Sequence, residues 1–432
     1  MQEQKFERMK MDYVALARRF GTPLFVYDFD YVKAQYEKVK SEFEGRKSLV
    51  CYAVKANSNL SLLRFLAELG AGFDCVSVGE IRKCLLAGAK AYNIIFSGVG
   101  KRNDEIEFAL QNGILFLNAE SFDEVKRVEK IAKKLGVKAR MSVRVNPNVD
   151  AKTHPYISTG LESEKFGVSV EEARQIYLYM HKSEFLEPVG IHFHIGSQLS
   201  DLSPVVEAAG IVAKLFKSLK SANIELRFFD VGGGFGVRYT DENEPDLHQW
   251  AQGILAALSG KEANLDEADA LSGGNLAKEG FHAPTIICEP GRFLVANAGV
   301  LVTSVVGEKR NGKKRFVIVD AAMTELIRPA LYEAKHEVCL LSPLVARGEA
   351  SLCEVVGGVC ESADFLDKSA FLPPLCEGDL LGVKSAGAYG FSMSSNYNMR
   401  LKPAEVAVVA GEAKLVRKRQ EFEDLVRDEI QI

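Results

Sequence analysis

Between residues 49 and 290, short apolar runs alternate along the chain with longer amphipathic segments. The runs are rich in β-branched and aromatic residues, which is typical of buried strands, while the segments between them have the period of helices. Two of these helical segments end at a glycine, a residue that commonly terminates helices. The eight strand candidates are LVCYAV, GFDCVS, NIIFSG, ILFLNA, RMSVRVN, VGIHFHI, FFDVGG and TIICEP.

Eight β/α repeats favour a closed TIM-like (β/α)8 barrel, although an eight-stranded open sheet has the same periodicity. After about residue 296 only short strand-like runs follow, two of them joined through Asn311-Gly312, which is typical of a hairpin. We therefore predict an α/β chain with an all-β C-terminal barrel or sandwich. The extended run TPLFVYDFD at 22–30 is expected to join this second domain. The predicted domains are 33–295 for the barrel, and 1–32 with 296–432 for the β domain.

The composition excludes several classes of partner. The 432 residues are 47% hydrophobic and 26% charged, with a formal net charge of −4 and no long basic run, so we expect no nucleic-acid partner. The start of the chain lacks the apolar core of a signal peptide, and no apolar stretch is long enough to span a membrane. Eight cysteines without a CxxC pair predict reduced thiols in a cytoplasmic protein. The polar segment 259–282 is expected to be an exposed loop.

The stretch CYAVKAN, residues 51–57, ends a predicted buried strand with Lys55. Such a lysine either extends to solvent or serves as a Schiff-base amine whose pKa is lowered by desolvation. Catalytic groups of TIM-like barrels lie at the C-terminal ends of the strands. The polar residues and glycines at those positions are Lys55, Ser77, Ser97, Asn118, Arg144, Asn146, His194, Gly232–Gly234, Glu289 and Arg292.

Two motifs among these positions bear on ligand binding. The glycines of DVGGGFG, residues 230–236, let backbone N–H groups approach a phosphate, although a tight structural turn explains them equally well. In HFHIGSQ, residues 192–198, two histidines share one face of a strand. No carboxylate or cysteine at matching spacing accompanies them, so we predict no metal site. His194 is instead expected to stack on an aromatic cofactor, with Ser197 supplying a hydroxyl to a phosphate.

The motif CEPGR, residues 288–292, follows the eighth predicted strand. A surface ion pair between Glu289 and Arg292 is the simplest explanation. The functional alternative is that Glu289 accepts a hydrogen bond from a pyridinium nitrogen while Arg292 binds a phosphate or carboxylate. A lysine, a phosphate-binding glycine loop, an imidazole and this carboxylate together describe a site for pyridoxal 5′-phosphate.

With these residues in view, the chain resembles the fold type III pyridoxal-phosphate decarboxylases, and among them the diaminopimelate decarboxylases. The resemblance extends from about residue 20 to the end. It implies a barrel of the alanine racemase type, a β domain, and a homodimer with two shared active sites. It also implies decarboxylation of meso-2,6-diaminopimelate to L-lysine, the last step of lysine biosynthesis. The motifs that carry it are YAVKAN, SEKFGV, GIHFHIGSQ, DVGGGFG, EPGR, RPALYEAKH, VCESADFL, GAYGFSMSSNYN and KPAEV.

The resemblance also implies roles for individual residues. Lys55 forms the Schiff base with pyridoxal phosphate, His194 stacks on the ring, and Glu289 contacts the pyridinium nitrogen. Cys360 donates the proton that replaces the lost carboxylate, and Glu361 pairs with the distal ammonium of the substrate; both reach in from the partner subunit. The remaining implied cofactor contacts are Ser197, Gly233, Gly234, Gly291, Arg292 and Tyr389, and the remaining implied substrate contacts are Arg292, Arg328, Tyr332 and Tyr389.

The sequence departs from the pattern of this family at two places. Gly357-Gly358 stands where Gly-Pro usually precedes the Cys-Glu motif, which is expected to loosen the loop that carries Cys360. Lys335 stands where an aromatic residue is common.

Two other activities and a catalytically silent role are alternatives to this assignment. Ornithine and arginine decarboxylases usually have aspartate after the cysteine, and Arg328 would repel their substrates. Alanine racemases have arginine rather than Glu289 at the ring nitrogen. A catalytically silent regulatory homologue is disfavoured because Lys55, Glu289, Cys360 and Glu361 are all present.

Overall fold

The structure is a computed structural model that describes residues 11–150, 164–259, 283–342 and 348–430. The predicted exposed segment at 259–282, apart from its first residue, lies outside the described residues, as do the first ten residues and Ser163 of the SEKFGV motif. None of the described helices combines the length and the apolar character that a membrane span requires.

Seventeen strands are present in the described ranges. In chain order they are β1 Leu24–Asp28, β2 Ser48–Ala53, β3 Gly72–Cys75, β4 Ile94–Phe96, β5 Phe116–Ala119, β6 Ala139–Arg144, β7 Leu186–His192, β8 Phe228–Asp230, β9 Thr285–Cys288, β10 Gly299–Asn311, β11 Lys314–Val319, β12 Val338–Ser342, β13 Ser351–Val356, β14 Phe365–Leu372, β15 Leu380–Val383, β16 Ala404–Val409 and β17 Glu412–Arg417.

The same ranges contain twelve α-helices. These are α1 Tyr13–Phe20, α2 Phe29–Ser41, α3 Leu60–Glu68, α4 Val78–Leu86, α5 Asn103–Gln111, α6 Phe122–Leu135, α7 Val170–Lys182, α8 Ser203–Lys220, α9 Leu247–Ser259, α10 Arg292–Val295, α11 Arg328–Tyr332 and α12 Phe422–Val426.

The contacts divide the chain into two compact units. The barrel unit comprises the described residues of Gln35–Val237 and Asn243–Phe293. The β unit comprises the described residues up to Ala34, Arg238–Glu242, and those from Leu294 onward.

The barrel unit is a closed ring of eight parallel strands, β2 to β9 in chain order. β9 closes the ring by pairing with β2, with Leu49 opposite Ile287. Closure confirms the predicted (β/α)8 barrel and excludes the open sheet. Three of the surrounding helices begin with a serine cap, in which the hydroxyl accepts a hydrogen bond from an N–H of the first turn: Ser77, Ser121 and Ser169.

The β unit is built on a nine-stranded sheet. The extended run predicted at 22–30 supplies β1, which pairs antiparallel with β10 and parallel with β16. The predicted hairpin joins β10 and β11, but its turn is Gly312 and Lys313, one residue later than expected, because Asn311 still pairs with Lys314. Gly312 has a φ of +57°, which favours glycine at this turn. The all-β second domain is therefore confirmed.

Candidate active site

A close approach of two turns brings Lys55 towards Glu289 within the barrel unit. Lys55 lies in a short 3-10 turn directly after β2. The Ala53 N–H donates a hydrogen bond of 3.2 Å to the carbonyl of Pro290. A Cβ at Gly291 would lie 3.0 Å from the Cβ of Ala53 and 3.1 Å from that of Ala56, so the turn after β9 packs tightly against the Lys55 turn.

The Lys55 ammonium is in contact with an acidic residue of the neighbouring strand. Its Nζ lies 3.9 Å from Oδ2 of Asp74, a buried residue of β3. The Lys55 side chain is 43% exposed, so the desolvation considered from the sequence is not present. The amine is therefore accessible to a ligand that enters at the C-terminal ends of the strands.

The glycine loop after β8 is packed between two other strand-end loops. A Cβ at Gly233 would lie 2.1 Å from the carbonyl oxygen of Glu289, and one at Gly234 would lie 2.3 Å from that of Gly196. Gly234 also has a φ of +101°, a region that other residues rarely adopt. The loop consequently depends on glycine, and its backbone comes close to the turns that carry the other candidate residues.

His194 is held in its neutral form by this loop. The Gly233 N–H donates a 3.2 Å hydrogen bond to Nδ1 of His194, so Nδ1 accepts and the ring proton lies on Nε2. Burial lowers the pKa of His194 well below its usual range, and the nearby charges of Arg144 and Lys55 lower it further. A neutral, flat imidazole is suited to pack against an aromatic ring.

Ser197 and Arg292 are connected directly. The Arg292 Nη2 donates a 3.1 Å hydrogen bond to Oγ of Ser197. Arg292 is the first residue of the short helix α10 and is buried. A hydroxyl and a guanidinium in contact are common partners of a phosphate.

Three ionisable side chains form a buried cluster at the strand ends. Nε2 of His192 lies 3.2 Å from Oε2 of Glu289, and Asp230 from β8 completes the group: one side-chain N or O atom from each of the three residues lies within 4.8 Å of the other two. Two carboxylates therefore accompany His192 in the folded chain, although neither stands near it in the sequence. Asp230 and Glu289 are far from His192 in sequence, and the pairing of β7 with β8 and of β8 with β9 brings the three side chains together. The absence of a metal site stays a prediction.

The two carboxyl groups of the cluster differ in charge. Burial disfavours an ionised Glu289, but His192 and Lys55 outweigh burial and lower the pKa of Glu289 to about 2. Burial and the charge of Glu289 raise the pKa of Asp230 well above its usual range. The Gly232 N–H donates to Oδ1 of Asp230 at 3.0 Å, so the proton of Asp230 belongs on Oδ2. One proton thus keeps two adjacent carboxylates from both being charged.

The β unit holds the candidate residues of its own segments. Arg328 is the first residue of α11 and is buried, and its Nη1 donates a 2.8 Å hydrogen bond to Nε2 of His336. Tyr332, the last residue of α11, is half-buried, and Tyr389 is half-buried with a φ of +57°.

Cys360 and Glu361 lie exposed on a loop that several hydrogen bonds fix. The Cys360 N–H donates to Oδ1 of Asn398 at 2.9 Å, and the Tyr397 hydroxyl donates to Oε1 of Glu361 at 2.7 Å. The two oxygens of the Asp364 carboxylate accept 2.7 Å hydrogen bonds, one from the N–H of Met323 and one from the N–H of Val359.

Comparison with known proteins gives a consistent result. Residues 29–296 match the family model of the pyridoxal-dependent decarboxylase, pyridoxal binding domain. Diaminopimelate decarboxylase of Campylobacter jejuni is 54% identical over 96% of this chain and 98% of its own length. The chain belongs to the diaminopimelate decarboxylase family.

Solved structures of this family share the fold over nearly the whole chain. Diaminopimelate decarboxylase from Helicobacter pylori complexed with L-lysine is 52% identical, with a TM-score of 0.88 over 96% of this chain and 98% of that one. The M. jannaschii enzyme in co-complex with L-lysine is 35% identical, with a TM-score of 0.88 over 97% of this chain and 94% of that one.

The departures from the diaminopimelate decarboxylase pattern have identifiable surroundings. A Cβ at Gly357 would lie 2.5 Å from the Cβ of Ala322, so glycine is needed there. A Cβ at Gly358 would meet only Nη1 of Arg400, at 3.5 Å, so this position tolerates a side chain. The loop backbone is nevertheless anchored through Asp364 and Asn398, which sequence reasoning missed. Lys335 is exposed.

Sequence reasoning also missed Asp230 and Asp74 within the diaminopimelate decarboxylase barrel. Both are acidic residues inside strand-like runs, FFDVGG and GFDCVS, and a carboxylate in such a run is expensive to bury. An aspartate inside an apolar run is therefore a signal from which both residues could have been identified. Burial, followed by the charge of Glu289, raises the pKa of Asp74 to about 6.

We expect Asp230→Asn to flatten the pH dependence of stability. Asp230 binds its proton more tightly in the folded protein than in the unfolded chain, so the free energy of unfolding falls as pH rises from the ordinary aspartate pKa towards the raised one. Asparagine cannot lose that proton. The stability difference, variant minus parent, should increase with pH by up to about 1.4 kcal/mol per pH unit.

Denaturant unfolding across a pH series measures this difference. Asp123→Asn, at a side chain that is 92% exposed, is the matched control and should leave the pH profile unchanged. A difference between Asp230→Asn and the parent that stays constant with pH would show that Asp230 is ionised in the folded protein.

Proposed function

We propose that this protein converts meso-2,6-diaminopimelate to L-lysine and CO2 with pyridoxal 5′-phosphate as cofactor. The observation that carries the proposal is the state of Glu289 in the barrel. His192 holds one oxygen of this buried carboxylate, while the other, Oε1, has no hydrogen-bond partner among the described residues. An ionised carboxylate with one oxygen available is suited to a protonated pyridine nitrogen. The relatives named above support the substrate and the product.

The residues of the barrel unit fit the cofactor. The glycine loop leaves no space for a Cβ at Gly233 or Gly234, which is typical of a backbone cradle for phosphate. Pyridoxal phosphate, when bound, accepts the electron pair that is left when the substrate carboxylate departs as CO2. Lys55 would hold the cofactor covalently, His194 would cover a ring face, and Glu289 would contact the ring nitrogen. The phosphate would lie against Ser197, Gly233, Gly234, Gly291 and Arg292, with Tyr389 as a further contact.

The proposed contacts fall into two groups, one at each end of the substrate. Arg328 would bind the carboxylate at the distal end, where a guanidinium offers paired N–H donors. Glu361 would pair with the distal ammonium, and Tyr332 would contact the substrate beside them. Arg292 and Tyr389 would contact it near the reacting carbon. Cys360 would hold, at Sγ, the proton that forms the new C–H bond once the C–C bond to the departing carboxylate has broken.

The chain would act as a homodimer with two shared sites. In this proposal residues 33–295 bind the cofactor, while 1–32 and 296–432 complete the active site and the dimer interface. Cys360 and Glu361 of the partner subunit would then serve the barrel of the other subunit. The cytoplasm is the proposed location, supported by the eight cysteines, all of which are free thiols.

Product analysis with two substrates tests the proposal. The cofactor-loaded protein is supplied separately with meso-diaminopimelate and with ornithine, and amino acids and CO2 are measured. We expect lysine and CO2 from the first and no reaction with the second, because Arg328 attracts a distal carboxylate and repels a distal cation. Putrescine from ornithine would contradict the proposed specificity while supporting the cofactor site. No product from either substrate would contradict the proposal as a whole.

A further inference from the structure

We infer that His336 and Tyr239 are positioning residues that aim the Arg328 guanidinium at the distal carboxylate of the substrate. The inference rests on the proposed function, in which Arg328 binds that carboxylate. All three side chains belong to the β unit.

The hydrogen bonds of His336 determine its tautomer. Nη1 of Arg328 donates a 2.8 Å hydrogen bond to Nε2 of His336, and Nδ1 of His336 lies 2.9 Å from the carbonyl oxygen of Lys384. Arginine has only donors and a carbonyl only accepts, so the imidazole proton lies on Nδ1 and Nε2 accepts. His336 is therefore a neutral ring that connects the guanidinium to the backbone carbonyl of Lys384, the residue that follows β15.

Burial makes this connection rigid. His336 is 2% exposed and Arg328 is 6% exposed, so water has little access to either partner. The bond between them is charge-assisted, the stronger class of hydrogen bond. Removing the imidazole would take the acceptor Nε2 away from a buried N–H of the Arg328 guanidinium. The Arg328 side chain would then reorient to find another acceptor.

Tyr239 fixes the guanidinium from a second direction. The guanidinium carbon of Arg328 lies 4.4 Å from the centre of the Tyr239 ring. The same ring packs edge-on against the His336 imidazole, with centres 5.0 Å apart and planes at 73°. The segment that carries Tyr239 is itself tied down, because the Glu242 carboxylate accepts hydrogen bonds from the N–H groups of Tyr239 at 3.0 Å and Thr240 at 2.8 Å.

Together these contacts set the orientation of a planar cation without neutralising it. The imidazole uses one of the five N–H donors of the guanidinium, and the aromatic ring uses one of its faces. Neither neighbour carries a negative charge, so neither cancels the attraction of the cation for a carboxylate. Two-point binding of a carboxylate requires the plane of the guanidinium to be correctly oriented, which is what the two contacts define.

The expected effect is on substrate binding and not on the chemical step. Arg328 would contact the end of the substrate remote from the bond that breaks. Loss of its orientation should weaken binding of the ground state and the transition state equally. His336→Asn keeps a donor near the position of Nδ1 and removes the acceptor at Nε2. We expect it to raise KM for meso-diaminopimelate by about tenfold or more and to change kcat less than about threefold.

More conservative variants of the same two residues should restore substrate binding. His336→Gln can place an amide oxygen near the position of Nε2 and should restore much of the affinity. Tyr239→Phe keeps the ring and should leave KM unchanged, while Tyr239→Leu should raise it. His248→Asn is the matched control, because His248 is an exposed histidine of the barrel unit that pairs with Glu42. Thermal unfolding of each holoenzyme shows whether a variant is folded.

Steady-state kinetics of the holoenzyme variants, with Arg328→Met as reference, separates the outcomes. A raised KM in His336→Asn and Tyr239→Leu, with rescue by glutamine and phenylalanine, supports the positioning role. If Arg328→Met raises KM while neither His336→Asn nor Tyr239→Leu does, the inference is wrong and the proposed function stands. The same conclusion follows if His336→Asn and Tyr239→Leu lower kcat and leave KM unchanged. If Arg328→Met itself leaves KM unchanged, the carboxylate-binding role of Arg328 in the proposed function fails, and the inference fails with it.

Discussion

Lys55→Ala should abolish lysine formation, with a loss of roughly a thousandfold or more, as is usual when the residue that forms the covalent bond is removed. Lys55 is the exposed amine at the end of β2, next to Asp74. Lys101, also near the strand ends, cannot replace it, because its buried ammonium is held by Glu124 and by the carbonyls of Gly98 and Asn118. Lys101 is therefore not in position to form the same bond.

Borohydride reduction followed by peptide mass spectrometry measures the covalent bond independently of activity. The parent protein loaded with pyridoxal phosphate should carry the cofactor mass on the peptide that contains residue 55, and Lys55→Ala should carry none. Lys314→Ala is the control, since Lys314 is an exposed lysine of β11 that pairs with Glu354. Cofactor mass on another lysine of the parent protein would sink the assignment.

Cys360→Ala should reduce kcat by roughly a hundred- to ten-thousand-fold, the range typical of a positioned proton donor. Alanine removes the thiol proton without disturbing the loop, because the hydrogen bond to Asn398 comes from the backbone N–H of residue 360. The cofactor mass on Lys55 should be unchanged. Cys376→Ala changes another exposed cysteine and should retain full activity. A Cys360→Ala protein with parental kcat would contradict the proton-donor role.

Mixing the two inactive variants tests whether the sites are shared. If Cys360 serves the barrel of the partner subunit, a dimer of one Lys55→Ala chain and one Cys360→Ala chain contains one intact site. Half of randomly formed dimers are mixed, so up to about a quarter of the parental activity should return. As a control, each variant alone is dissociated and reassociated in the same way. No recovery above that control would rule out shared sites.

The fold was predictable where local pattern determines it. Eight apolar runs separated by amphipathic segments predicted the barrel, and its closure is confirmed. The hairpin at Gly312 was predicted one residue too early, because the pattern identifies a tight turn but does not decide whether Asn311 ends the strand or begins the turn. The hydrogen-bonded register of β10 against β11 decides where the turn begins, and this register depends on both strands together.

The candidate site was predictable to the extent that polar residues mark strand ends. The contacts between those residues depend on neighbours that the sequence does not reveal. Asp230 lies beside Glu289 only because β8 and β9 are adjacent in the ring. Arg328 meets His336 because the chain turns sharply after α11, where Glu333 has a φ of +52°. Tyr239 comes to Arg328 from a distant part of the chain, and no spacing indicates such a contact.

The pairing of β1 has a consequence for the order in which the protein can fold during synthesis. β1 precedes the barrel strands in the sequence, yet its neighbours β10 and β16 are synthesised only after all eight barrel strands. The barrel strands are contiguous in sequence and can pair beforehand, since local connections close faster than distant ones. A chain that stops before Ala404 leaves one edge of β1 unpaired, and an open strand edge is a template for aggregation. Synthesis of β16 is therefore needed before both edges of β1 are paired.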